Sequence, residues 1–133
     1  MSVMTSSSER TQRINIFCMY ALRKSSPVID EQNFKFGDSF AQVTNGEEFL
    51  RRVNSVCQRA GVTLHWGLVE YVDLKTHRGR MGPFHKSSTF AYQSEFRVAI
   101  TPGFGEPYPL MVDDLSDITA VGKTPTYAAS QNP

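Results

Sequence analysis

The sequence predicts an α+β fold: a mostly antiparallel sheet with one main amphipathic helix packed on it. Several short runs of branched and aromatic residues read as strands. One segment alone, about residues 45–60, keeps its apolar residues on a helical period. Strands precede and follow that segment instead of alternating with helices, which favours a segregated helix over βαβ units. The 133 residues suffice for one hydrophobic core. The domain is expected over 13–121, between a loose polar arm at 1–12 and a loose polar tail at 122–133.

In chain order, RINIFCMYAL (13–22) is a first strand, expected to be buried on both sides. A connection punctuated by Pro27 and Gly37 leads to a second strand, SFAQVT (39–44). The helix follows, with Thr44 or Asn45 as N-cap and Glu47 or Glu48 completing a capping box. At about 100° per residue, Phe49, Leu50, Val53, Val56, Cys57 and Ala60 share one face. Glu47 with Arg51 and Glu48 with Arg52 sit a turn apart on the polar side, and Gly61 is placed to end the helix.

VTLHWGLVEYVD (62–73) is the next strand; its alternation changes phase near Gly67, which suggests a bulge there. The segment 74–90 then leads into the strand of AYQSEFRVAI, and TPGFGEP (101–107) is a turn from which YPLMV pairs back as a hairpin arm. DDLSDITAV closes with a short helical turn and an edge strand.

Composition narrows the function classes. Hydrophobic residues are 40% and charged residues 20% of the chain, as in soluble globular proteins. Fourteen basic against 13 acidic residues give a formal net charge of +1, too small a field to gather polyanions broadly. No apolar run is long enough to span a bilayer and no signal-like start is present, so a cytoplasmic protein is expected. The two cysteines, Cys18 and Cys57, match no metal motif and are expected to be buried free thiols.

The candidate site begins in the strand of 91–100. Side chains alternate, so Phe96, Val98 and Ile100 face one way while Gln93, Glu95, Arg97 and Ala99 face the other. The polar row reads either as an ordinary solvated side or as the lining of an accessible groove. The loop KTHRGRMGPFHK (75–86) gathers six basic or histidine side chains with no acid, and carries Met81 and Phe84. Such a surface suits a partner protein, with an acidic surface or a nucleic-acid backbone as its counterpart. Its candidate binding residues are Arg78, Arg80, His85 and Lys86, joined by Tyr92 and Arg97 from the next segment. His65 alternates with Leu64 and Trp66 and should face away from the core. No histidine has a second ligand at metal spacing, and no phosphate loop or nucleophile elbow occurs, so neither a metal nor a cofactor is expected.

FHKSSTFAYQSEFRVAI, preceded by GLVEYVD and followed by LSDITAVG, resembles the C-terminal half of a large bacterial family of uncharacterised proteins. Members are often encoded near abortive-infection and other phage-defence genes. Val69 and Tyr71 match its V-x-Y strand, Lys86 its lysine, Phe90 or Tyr92 its aromatic, and Glu95 and Arg97 its acidic-x-Arg strand. FCMYAL is similar to its early cysteine strand, which implies a core position for Cys18. Gln93 stands where that pattern has a first acid, and the family's N-terminal third has no counterpart.

Gln93-Ser94-Glu95 also resembles the Gln-x-Glu triplet of ADP-ribosyltransferases. That resemblance implies an NAD-dependent enzyme with Glu95 catalytic and Gln93 selecting the acceptor. Its serine-bearing strand would be Lys86–Phe90, which lies only a few residues upstream instead of a strand away. The leading expectation is a small macromolecule-binding module of bacterial or phage conflict systems, in defence or anti-defence. The alternatives are a minimal NAD-binding enzyme and a structural fragment of a larger defence protein.

Overall fold

The computed structural model describes residues 13–25 and 28–125. The expected arm at 1–12 lies outside the described residues, as do Ser26, Pro27 and 126–133. The fold is α+β. Its strands are β1 (Asn15–Tyr20), β2 (Ser39–Val43), β3 (Thr63–Leu68), β4 (Glu70–Val72), β5 (His85–Ser87), β6 (Glu95–Thr101) and β7 (Thr119–Lys123). The helix α1 (Gly46–Ala60) lies between β2 and β3, and 3-10 turns occupy Glu31–Phe36, Ser88–Gln93 and Ser116–Ile118. The strands form three sheets: antiparallel β1-β6-β3, antiparallel β2-β7 and a parallel pair β4-β5.

The helix forms where its signals place it. Asn45 Oδ1 accepts the Glu48 N–H at 3.1 Å, and Gly61 closes the C-terminus in the left-handed region (φ 75°). Val53 and Cys57 pack from α1 against Leu64, Val98 and Ile100 of the sheet. The arginine pairing differs from the expected one: Arg51 bonds Glu48 and not Glu47. Glu48 alone takes both Arg51 and Arg52, and Arg52 also holds Asp117, fastening the helix to the segment before β7.

Five expectations are corrected. β1 is an edge strand and not a strand buried on both sides; Phe17 is 59% exposed and Cys18 is exposed. The central place belongs to β6, flanked on both edges and covered on both faces. The phase change near Gly67 is a departure of the chain and not a bulge. Val69 still donates to the Glu95 carbonyl, but Glu70 then donates to Phe84, and β4 pairs with β5. YPLMV forms no strand, since Pro107 and Pro109 lack the donors a ladder needs. Its Leu110 and Val112 nonetheless pack on the core. Finally, β7 runs through Lys123, and Thr124 bonds the carbonyls of Gly37 and Asp38, so the fold continues past residue 121.

Candidate functional site

The register of two strand pairs builds the site. Parallel pairing sets Tyr71 beside Lys86, and antiparallel pairing sets Cys18 and Gly67 on either side of Arg97. Before β6, Ser94 adopts a left-handed conformation (φ 41°), so Gln93 ends a 3-10 turn and does not extend the strand's row. It rejoins Glu95 through Lys86 instead.

Glu95 is the centre. It is 6% exposed, and each carboxylate oxygen has a cationic donor. Arg97 Nε donates to Oε1 at 2.9 Å and Lys86 Nζ to Oε2 at 2.6 Å. Lys86 Nζ also donates to Gln93 Oε1 at 2.5 Å and stands 5.0 Å from the centre of the Phe90 ring. The Glu95 backbone N–H donates to the Tyr71 hydroxyl at 2.9 Å. Arg97 Nη1 donates to the Pro83 carbonyl at 2.7 Å, above Gly67, where a Cβ would meet the Phe84 ring at 3.7 Å. Burial pushes the Glu95 pKa up, but the hydrogen bonds from Arg97 and Lys86 outweigh it and hold the carboxyl at about 2. The Cys18 thiol is shifted the other way, raised first by desolvation and then by the neighbouring carboxylate.

The polar row is therefore no solvated side. Glu95 is buried and Ala99 is 2% exposed, because residues 82–93 fold over that face. Accessible space lies beside the row, in a cleft of about 940 Å³ between β1, the segment 28–40 and the Glu95 cluster. Its walls are mostly apolar, among them Met19, Ile29, Phe34, Phe36 and Phe40, while Lys86, Gln93 and Glu95 supply the charged and polar part. The size and character suit a binding cavity. The aromatic wall was missed in the sequence. Its signal is Phe34, Phe36 and Phe40 spaced through NFKFGDSF, which lacks strand or helix periodicity and so reads as connection.

The remaining candidates divide. Lys86 belongs to the Glu95 cluster and not to the basic loop. His85, also in β5, accepts the Gly82 N–H at Nδ1 (2.8 Å) and lies 5.4 Å ring to ring from His77. Arg78 and Arg80 are exposed on the loop, and the ion pairs of Glu95 are made by Lys86 and Arg97 instead. Tyr92 accepts from Gln93 Nε2 through its hydroxyl, and its carbonyl accepts from Asn33. His65 faces outward as expected and meets Thr101 Oγ1 at 2.9 Å. Among the described residues, no cluster of His, Cys, Asp and Glu is placed to hold a metal ion. No helix among them is long and apolar enough to cross a membrane.

Comparison with protein-family models, with curated proteins and with solved structures finds no match to this chain.

Proposed function

We propose that this chain is a small macromolecule-binding module of bacterial or phage conflict systems, capturing a partner protein at the cleft beside Glu95. The observation that carries the reading is the pairing of an open aromatic cleft with a carboxylate already ion-paired at both oxygens. Each Glu95 oxygen already holds a protein cation, so the cluster serves to set a rigid, ion-paired floor for the cleft. Around it, Phe36 is 65% and Phe40 43% exposed, as suits a surface waiting for a partner. The loop with exposed Arg78, Arg80 and Met81 is a second contact region favouring an acidic counterpart. The conflict-system assignment rests on the family resemblance, whose residues Tyr71, Lys86, Glu95 and Arg97 are those that meet in the cluster. A cytoplasmic setting belongs with this reading and is supported by two free thiols.

The ADP-ribosyltransferase-like reading gains nothing from the geometry. Both oxygens of Glu95 are held by Lys86 and Arg97, and Ser87 Oγ accepts the Thr89 N–H instead of facing Glu95.

Capture from bacterial lysate tests the proposal, comparing wild type, Phe36→Asp with Phe40→Asp, and Arg78→Ala with Arg80→Ala. A defined protein retained by wild type, lost with the cleft variant and weakened by the loop variant is expected. Identical captured sets would remove the reading. Calorimetry with NAD is expected to give no heat; heat abolished by Glu95→Gln would transfer the assignment to the enzyme.

A further inference from the structure

The cleft borders a strand edge, and that fact specifies what fills it. Cys18, Met19 and Tyr20 all line it, although consecutive side chains of a strand point to opposite faces. A cavity touched by all three lies along the edge of β1 and not over one face. The pairing shows which backbone groups lie on that edge. Ala21 N–H bonds the Ser94 carbonyl and Gly103 N–H bonds the Arg13 carbonyl, so the odd-numbered residues of β1 turn toward β6. Ile16, Cys18 and Tyr20 therefore turn their N–H and C=O groups outward. Among the described residues, none of these groups has a backbone partner.

The edge also lacks the usual protection. NIFCMY holds no charge and no proline, and Phe17 beside it is exposed. The floor of the cleft adds a preference of sign. Lys86 and Arg97 share the single carboxylate of Glu95, while Gln93, the remaining partner of Lys86, is neutral. The cluster thus keeps one positive charge in excess, and the Lys86 side chain, 27% exposed, brings it to the cleft.

We infer that the cleft takes an extended, largely apolar peptide segment of a partner protein, which adds as a strand to the free edge of β1 and sets an acidic side chain at Lys86. Backbone pairing with Ile16, Cys18 and Tyr20 supplies directional bonds, the aromatic wall receives alternate side chains, and the surplus charge selects the acid. This deepens the binding-module reading and rests on it.

The test pans a displayed library of random dodecapeptides against the full chain and examines the enriched peptide by NMR amide exchange. Expected are proline-free apolar sequences with one acid. Binding should slow exchange at Ile16, Cys18 and Tyr20 by at least about tenfold, leaving Phe17 and Met19, already in the ladder, unchanged. N-methylation of the peptide at alternate residues should abolish binding in one phase only, and replacing its acid by lysine should weaken it by more than about tenfold. Binding that leaves those three amides unprotected overturns the inference, as does enrichment of basic sequences or none. Concentration-dependent protection of the same amides without peptide overturns it as well, by giving the edge to a second copy of this chain. If the lysate partner depends on Phe36 and Phe40 yet leaves the β1 amides exposed, strand addition fails and the binding module stands. A partner indifferent to the cleft variant removes both.

Discussion

Lys86 Nζ sits 2.6 Å from Glu95 Oε2 and so ties β5, a strand of the small parallel pair, to the central strand β6. With Arg97 on the other oxygen, the one carboxylate pairs with two cations that are themselves largely withdrawn from water. Removing it leaves both unpaired. Glu95→Ala is expected to cost about 3–5 kcal/mol in urea unfolding. Lys86→Met keeps the Arg97 pair and should cost clearly less. Equal losses for the two variants would show that Arg97 alone does not sustain the buried carboxylate.

The same cluster sets an acid sensitivity. Glu95 in the folded chain titrates at about 2, below its ordinary value of 4.5, so the unfolded chain takes up the proton first. Its stabilisation is complete above about pH 4.5 and fades as pH falls toward about 2, amounting to on the order of 3 kcal/mol. Glu48 is shifted in the same direction by Arg51 and then Arg52, but on an exposed surface where salt and water screen it. Urea midpoints of wild type and Glu95→Gln should thus converge on acidification, while Glu48→Gln should follow the wild-type profile closely. Parallel profiles for wild type and Glu95→Gln would remove Glu95 as the sensitive group.

The helix was legible because its cap, its period and its terminating glycine are local signals that agree. β6 was legible as a strand, but its central position was not, since alternation with polar residues is what a half-exposed strand also shows. Glu95 and Arg97 were legible as neighbours on one face; the burial of the pair depends on residues 82–93 folding back, which no local pattern encodes. β1 misled in the opposite sense. A run of apolar residues reads as doubly buried, whereas here it is an edge bordering a cleft. The basic loop likewise joined residues that the fold separates, because Lys86 enters a parallel ladder set by distant Tyr71.

Val53 is the sharpest probe of how α1 sits on the sheet. It is 4% exposed and packs with Cys57 on Leu64, Val98 and Ile100. Val53→Asp buries a charge without a partner and is expected to cost several kcal/mol, enough to unfold many domains of this size at ambient temperature. Asn45→Ala, which deletes only the cap, should cost about 1 kcal/mol. A Val53→Asp chain with wild-type thermal melting would place the helix elsewhere.

Gly103 replaces the missing hairpin. Its N–H donates to Arg13, and the Asn15 side chain ties Phe104 and Glu106 to the start of β1. A Cβ there would come within 2.6 Å of Asn15 Oδ1 and 2.8 Å of the Ile14 nitrogen, and backbone cannot yield as a side chain can. Gly103→Ala should destabilise by about 1–3 kcal/mol. Chemical shifts are expected to move at Ile14 and Asn15 and to stay fixed in α1. Shifts spread evenly over the chain would contradict a local clash.

Cys18 reports on the cluster without unfolding anything. It is exposed at the strand edge, yet its thiol pKa is raised, by desolvation first and by the Glu95 carboxylate next, while Arg97 acts in the opposite direction. Reaction with iodoacetamide needs the thiolate, so at neutral pH Cys18 should react more slowly than a thiol in an unstructured peptide. Glu95→Gln removes the negative neighbour and leaves Arg97, so the thiolate is favoured and the rate should rise, with its pH profile displaced downward. Enhanced unfolding would raise the rate too, but it would expose buried Cys57 at the same time. Faster labelling confined to Cys18 separates the two causes, and a rate indifferent to Glu95→Gln would mean that the carboxylate does not act on the thiol.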